Sequence, residues 1–225
     1  MPHCNRCPQL HPAGGGGTLR CRPLPAPDVK VTAMKRAVRM AGAALAAAVL
    51  ATFTAAADPA TATGKFTLTS PDIKAGGKIA DAQVFNGFGC QGANVSPALS
   101  WSGAPKDTQS FALMVHDPDA PTGSGWWHWV VYNIPATATS LSADAGNTKN
   151  MLLPGGAVQG RTDFGTTGYG GPCPPPGKPH HYYFRLYALK VPKLDLPKDA
   201  TAAFIGFNVR AQSLGSAELL GIYGR

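Results

Sequence analysis

Two neighbouring stretches decide the fold: Asp117-Pro118-Asp119-Ala120-Pro121 and, four residues later, Trp126-Trp127-His128-Trp129-Val130-Val131-Tyr132-Asn133-Ile134-Pro135. The second stretch is a dense run of aromatic and β-branched residues, which is typical of a β-strand. Before the first stretch, Phe111, Leu113 and Val115 recur at every second position and indicate another strand. The residues between the two strands are rich in Gly and Pro and predict a loop. Carboxylates and an imidazole are therefore expected at strand ends.

The same strand signals recur along residues 65–225. Phe66 and Leu68 alternate with threonines, residues 182–191 form another aromatic and β-branched run, and a final short strand is expected over 218–223. Clusters of Gly, Pro, Asn, Asp and Ser separate these runs, as expected for turns and loops.

One segment has the pattern of a helix, residues 200–214. Asp199 is a suitable N-cap, and Gly215 stands where a C′ glycine belongs. Phe204 and Phe207 fall on one face at helical spacing. Many strands and one late helix predict a mainly β fold, a β-sandwich of packed sheets with a few peripheral helices, one of them near the C-terminus.

The first quarter of the chain has the composition of a leader. Residues 1–33 contain a run of glycines and no apolar periodicity, and they precede a second methionine, Met34, so we interpret them as an over-extended, disordered N-terminus. Residues 34–57 have a basic start, a short apolar run and an Ala-rich end, which indicates a secretory signal peptide. A membrane anchor is the alternative, but the apolar run is shorter than the roughly 20 residues that span a bilayer. We therefore expect one mature domain, residues 58–225, in the periplasm or secreted.

The net charge of +8 belongs mostly to the leader. Residues 1–57 hold seven of the 20 Lys and Arg residues and one of the 12 Asp and Glu residues, which leaves a charge of +2 for residues 58–225. A charge this small is no reason to expect nucleic acid as a partner.

Two cysteines, Cys90 and Cys173, lie in the predicted mature domain. In an oxidising compartment such a pair is a disulfide candidate, and two buried free thiols are the alternative. A disulfide here would tie the proline-rich loop 165–179 to the earlier part of the domain.

Acidic, imidazole and phenol side chains come together at three strand ends: Asp117 and Asp119, then His128, then His180 and Tyr182. Two carboxylates two positions apart in an extended chain would point the same way. Neighbouring carboxylates would favour the protonated imidazoles. Taken one by one, an Asp-Pro-Asp is more often a turn that bonds its own backbone, and a lone histidine is more often a core residue.

The proline-rich loop adds backbone donors to this group. Gly170 and Gly171 precede a run of prolines, and we expect their N–H groups to be free. A cationic histidine beside free backbone N–H groups suits a phosphate or another oxyanion.

These motifs together resemble the phosphatidylethanolamine-binding protein family, and most closely its bacterial, Raf kinase inhibitor-like branch. The stretches 117–121 and 126–135 look like the central motif of the family. Residues 170–175, followed by 180–184, resemble its second motif, and residues 94–101 are similar to its N-terminal signature. The resemblance covers nearly all of residues 65–225.

The resemblance implies a β-sandwich-like fold with a small surface pocket that accepts phosphate, phosphoethanolamine or acetate-like anions. It places in the pocket lining Asp117, Asp119, Pro121, His128, Gly171, Pro172, His180 and Tyr182. A cis peptide bond is expected before Pro121. Where eukaryotic members often have Arg, this chain has His181, which strand alternation should turn away from the pocket.

Three kinds of function are compatible with such a pocket. The favoured one is a binding protein, without enzymatic activity or cofactor, for a small anionic ligand or lipid headgroup. A hydrolase or metal enzyme that uses the same Asp and His residues is less favoured, because the chain has no G-x-S-x-G elbow, no H-E-x-x-H motif and no compact metal-ligand spacing. The third is an inhibitor of a secreted protease or another protein partner. Related bacterial proteins also suggest a homodimer.

Overall fold

The computed structural model describes residues 64–225. The predicted signal peptide and the residues before it lie outside this range. The strands are β1 (Thr67–Thr69), β2 (Gly77–Lys78), β3 (Asn86–Gly87), β4 (Cys90–Gln91), β5 (Leu99–Ser102), β6 (Ser110–Asp117), β7 (Trp126–Pro135), β8 (Ser140–Leu141), β9 (Val158–Gln159), β10 (His180–Leu189) and β11 (Ser213–Tyr223), and the helix α1 spans Ala202–Ala211.

A six-stranded sheet forms the centre of the molecule, in the order β2-β11-β10-β6-β7-β9. Its neighbouring strands are antiparallel except β2, which runs parallel to β11. A three-stranded sheet, β1-β5-β8, and the short hairpin β3-β4 complete the described fold. The predicted mainly β fold with one helix near the C-terminus is confirmed.

Both faces of the central sheet are covered, so its middle strands are buried on both sides. On one face, Leu113 and Phe184 pack in a cluster that also contains Trp101 of the smaller sheet. On the other face, Met114 packs in a second cluster with Ile205 of the helix. The alternation seen in the sequence of β6 therefore separates two apolar cores and not a core from solvent.

The helix differs from its prediction at both ends. It begins after Thr201, whose side-chain oxygen accepts the N–H of Phe204, and the residues proposed for its start form a turn closed by the Ala200 N–H and the Pro197 carbonyl. It ends before Gln212, since β11 already starts at Ser213.

The buried face of the helix is made of Ala202, Ile205, Gly206 and Val209. Small residues let it approach the sheet closely: a Cβ at Gly206 would lie 3.2 Å from Cε of Met114. Phe207 is 71% exposed and points away from the core. At ten residues, the helix of the described range is too short to cross a membrane.

Candidate functional site

Three adjacent strands bring the candidate residues to one end of the central sheet. Asp117 is the last residue of β6, and β7 and β10 begin at Trp126 and His180. Because β6 pairs with both of the other strands, the end of β6 lies between the starts of its two neighbours. The three strand ends identified in the sequence are therefore neighbours in space.

A cavity of about 190 Å³ opens at this end of the sheet. It is lined by Phe88, Asp117, Ala120, Pro121, Thr122, Trp126, His128, Phe164, Gly171, Cys173, Pro174, Pro175, His180 and Tyr182. Of the residues predicted to line a pocket, two are absent from this lining, Asp119 and Pro172. Most of the wall is apolar, and its polar groups lie on the strand ends.

Asp117 is a buried carboxylate whose two oxygens have separate roles. Oδ2 lies 2.7 Å from Nδ1 of His180. Oδ1 accepts the backbone N–H groups of Asp119, at 2.8 Å, and Ala120, at 3.1 Å. The local turn and the contact with an imidazole, which the sequence offered as alternatives, occur together in this one side chain.

The second carboxylate, Asp119, faces away from the cavity. Its Oδ2 accepts both the backbone N–H and the Nδ1 of His181, at 2.8 and 2.7 Å, and the two side chains are 41% and 44% exposed. Burial alone would raise the pKa of Asp119, but the hydrogen bonds from His181 lower it. The expectation that the two carboxylates point the same way is wrong, because β6 ends at Asp117 and the chain then turns.

His128 sits at an irregularity of β7. Val115 pairs with Trp129 and His116 with Trp127, so His128 is an extra residue in the ladder, as in a β-bulge. Such bulges re-aim side chains, and here the imidazole lines the cavity. Its Nδ1 donates to the Gly170 carbonyl at 2.7 Å.

Burial lowers the pKa of His128 to about 4, against smaller opposing effects of the Gly170 hydrogen bond and the Asp117 charge. His128 is therefore neutral at neutral pH. The carboxylates were expected to hold both His128 and His180 and to favour their protonated forms. For His128 this expectation is wrong, because Asp117 contacts His180 and Asp119 contacts His181.

The backbone donors expected from the glycine pair are already used. The N–H of Gly170 donates to the His128 carbonyl at 2.9 Å, and that of Gly171 donates to Oδ1 of Asn94 at 2.7 Å. Buried amides nearly always find partners, which is the reason that neither is free for an anion. Gly171 is instead needed for close packing, since a Cβ there would lie 2.0 Å from the Gln83 carbonyl oxygen.

Tyr182 supplies the polar group without a partner. The residue is 1% exposed, and its hydroxyl forms no hydrogen bond with any of the described residues. Burial, and next the negative charge of Asp117, raise the pKa of Tyr182. The side chain is thus a phenol that can donate to a ligand.

An aromatic wall, formed by Phe88, Trp126 and Phe164, was missed by sequence reasoning. The ring of Phe164 lies 5.5 Å from that of Trp126 and 6.0 Å from that of Phe88. The available signal was an aromatic residue directly before glycine, in Phe88-Gly89 and Phe164-Gly165. That signal is weak, because only the fold brings these segments together.

The loop residues near the cavity give two further outcomes. The peptide bonds of residues 64–225 are trans, so the expectation of a cis bond before Pro121 is wrong. Hydrogen bonds close the turn instead, from Ala120 N–H to Asp117 and from Thr122 N–H to the Ala120 carbonyl at 2.7 Å. The Sγ atoms of Cys90 and Cys173 are 2.12 Å apart, at bonding distance. Within the described range, no three His, Cys, Asp or Glu side chains are grouped as a metal site.

Comparison with known proteins agrees with this architecture. The family model for phosphatidylethanolamine-binding protein matches residues 69–224. The UPF0098 protein YbcL of Escherichia coli K12 is 53% identical over 159 residues, which cover 70% of this chain and 87% of YbcL. "Putative lipoprotein LppC" of Mycobacterium tuberculosis H37Rv is 37% identical over 174 residues, 77% of this chain and 79% of LppC.

The solved structures give the same result. The crystal structure of E. coli YbcL, a new member of the mammalian PEBP family, is 52% identical with a TM-score of 0.70, and the match covers 71% of this chain and 98% of that one. The structure of a PEBP homologue from Chlamydia trachomatis is 34% identical with a TM-score of 0.60, covering 71% and 97%. The fold and cavity thus define a β protein with a small pocket at a sheet end. The chain belongs to the phosphatidylethanolamine-binding protein family.

Proposed function

We propose that this protein is an exported binding protein, and not an enzyme, whose cavity holds a small phosphate-type anion such as the headgroup phosphoethanolamine. The observation that carries the proposal is the pairing of His180 with Asp117 beside the unpartnered hydroxyl of Tyr182, all on the wall of one cavity. A cavity of about 190 Å³ suits a headgroup.

The charge of the anion would be met by His180. An imidazolium donates from both ring nitrogens, so Nδ1 can face Asp117 while Nε2 faces the ligand. Hydrogen bonds to charged groups are worth about 1.5–3 kcal/mol each. Tyr182 adds a neutral donor, and the rings of Phe88, Trp126 and Phe164 supply an apolar part of the wall.

The lining favours binding over catalysis. It contains no serine, its cysteine Cys173 lies at bonding distance from Cys90, and the Thr122 hydroxyl donates to the Gly125 carbonyl. A free serine, threonine or cysteine nucleophile is therefore lacking on the described walls.

Export is supported by residues outside the described range. Residues 34–57 have the pattern of a signal peptide. The word lipoprotein in the name of LppC is a second pointer in that direction. We place the protein in the periplasm or outside the cell, where the Cys90–Cys173 pair would be oxidised.

Calorimetric titration of phosphoethanolamine against two neighbouring variants tests the binding proposal. His180→Ala should weaken binding tenfold or more, a loss of about 1.4 kcal/mol or greater. His181→Ala is the matched control and should change the affinity little, since its imidazole is bound to Asp119 outside the cavity.

Two results would contradict the proposal. Equal losses in the two variants would mean that the ligand is not held by this cavity. Turnover of an ester, phosphoester or peptide substrate that His128→Ala abolishes would favour a hydrolase instead.

A further inference from the structure

One side chain of the cavity lining, His128, has a ring nitrogen that can only accept a hydrogen bond. Nδ1 of His128 lies 2.7 Å from the Gly170 carbonyl oxygen, and a carbonyl oxygen cannot donate. Nδ1 therefore carries the hydrogen. In a neutral imidazole the other nitrogen, Nε2, then carries a lone pair, and this nitrogen has no hydrogen-bond partner among residues 64–225.

The surroundings keep this imidazole neutral. His128 is 4% exposed, and burial lowers its pKa to about 4. Asp117, whose charge would favour protonation, is engaged by His180 and by two backbone N–H groups. His128 thus differs from His180, which can become a donor at both nitrogens.

Acceptor and donors lie side by side in the cavity. The ring centres of His128 and Tyr182 are 5.1 Å apart and nearly perpendicular. Both rings line the cavity together with His180. A ligand that satisfies this wall must accept from Tyr182 and His180 and donate to His128.

We propose that His128 selects oxyanions that still carry a hydroxyl hydrogen, namely hydrogen phosphate and phosphomonoesters, and rejects sulfate and phosphodiesters. This inference rests on the proposed function and names the ligand class of the same cavity. A hydrogen phosphate or a singly ionised monoester has a P–OH group that donates to Nε2, while its charged oxygens accept from the other two side chains. Sulfate and a phosphodiester have no such hydrogen near neutral pH, so an anionic oxygen would face the lone pair of Nε2.

A site built around a buried polar group rejects a ligand that leaves the group unpaired. We expect a preference of about tenfold to a hundredfold for the hydroxyl-bearing anion, the range of one or two decades in dissociation constant. By the same reasoning, a free phosphomonoester headgroup is preferred over the phosphodiester of an intact phospholipid.

Two pairs of small anions test this specificity: inorganic phosphate against sulfate, and methyl phosphate against dimethyl phosphate. Titration calorimetry near pH 6 keeps much of the monoester protonated, because phosphomonoesters lose their second proton at about this pH. Wild type should bind phosphate and methyl phosphate at least tenfold more tightly than their partners.

The variant His128→Asn isolates the acceptor. The asparagine amide nitrogen can take the place of Nδ1 and donate to Gly170, but no atom replaces Nε2. The preference within each pair should collapse in this variant. His181→Asn, the same change outside the cavity, should leave the preference intact.

The outcomes separate the inference from the proposed function. If wild type binds sulfate as tightly as phosphate, the inference is wrong and an anion site remains. A preference that survives in folded His128→Asn also overturns it. If none of the four anions binds wild type, the proposed function fails and the inference with it. Should the asparagine variant not fold, the wild-type comparison still decides.

Discussion

Histidine is a neutral acceptor at one position of this protein and the partner of a carboxylate at two others. His180 and His181 are adjacent in sequence, yet the first bonds Asp117 in the cavity and the second bonds Asp119 on the surface. His128 is bonded to a backbone carbonyl and buried. The chemistry of each imidazole follows from its partner and its burial.

A pH dependence of stability follows from His128. Its pKa falls from 6.5 to about 4 on folding, so between these values the unfolded chain binds more protons than the folded protein. The contribution is fully present above pH 6.5 and is lost as pH falls towards 4, by up to about 3 kcal/mol at 1.36 kcal/mol per pH unit. Urea unfolding from pH 7 to pH 4 should show a steeper loss for wild type than for His128→Asn, which cannot be protonated. Parallel curves for the two proteins would show that His128 does not pay a protonation cost in the folded state.

At the scale of elements, two local irregularities position the residues that matter. The bulge in β7 places His128 on the cavity side next to Trp129. In the helix, Ala202 and Gly206 let the backbone approach the sheet, which turns Phe204 and Phe207 outward. Apolar periodicity predicts neither feature. It shows which residues of a helix share a face but not which face packs on the sheet, and it does not reveal an extra residue in a strand.

Substitutions on opposite faces of the helix should therefore have unequal effects on the free energy of unfolding. Ile205→Ala removes a fully buried side chain and should cost about 2–5 kcal/mol. Phe207→Ala removes a larger but exposed side chain and should stay within about 0.5 kcal/mol. Chemical denaturation of both variants measures the difference. A larger loss for Phe207→Ala would mean that the helix packs on the sheet through the face of Phe204 and Phe207, which the sequence pattern singled out.

At the scale of the whole molecule, contacts between segments that are distant in the chain hold one wall of the cavity, which contains Phe88 and Pro174. Sγ of Cys90 in the β3–β4 hairpin lies at bonding distance from Sγ of Cys173 in the proline-rich loop. The last residue, Arg225, donates from Nε to the Pro174 carbonyl at 2.7 Å and from its guanidinium to the Phe88 carbonyl at 3.1 Å. The shape of the cavity thus depends on contacts that span most of the described chain.

Because residues 34–57 have the pattern of a signal peptide, exported protein should begin near Asp58. Because the Sγ atoms of Cys90 and Cys173 lie at bonding distance, the exported protein should also have two hydrogens fewer than its reduced form. Intact mass measurement of material from the export compartment, with and without reductant, checks both points. In the chain-entropy model, a crosslink across 83 residues adds roughly 4–5 kcal/mol, so changing Cys90 and Cys173 together to Ser should lower stability by up to this amount. Two alkylatable thiols in the exported protein, or a product that retains residues 40–53, would contradict this account.

The sequence by itself determined the fold class, the family and the strand ends that carry the chemistry. These depend on patterns that are local in the chain, such as alternation before Asp117 and the aromatic run around His128. Strand alternation also placed His181 outside the cavity, where the structure has it.

Only the tertiary structure decided how the site works. Three features depend on contacts between residues far apart in the chain: the neutral state of His128, the hydrogen bond between Gly171 and Asn94, and the aromatic wall around Phe164. The turn after β6 separated Asp119 from the cavity although it lies two residues from Asp117. Burial and hydrogen-bond partners set the charge of a side chain, and both are properties of the folded molecule.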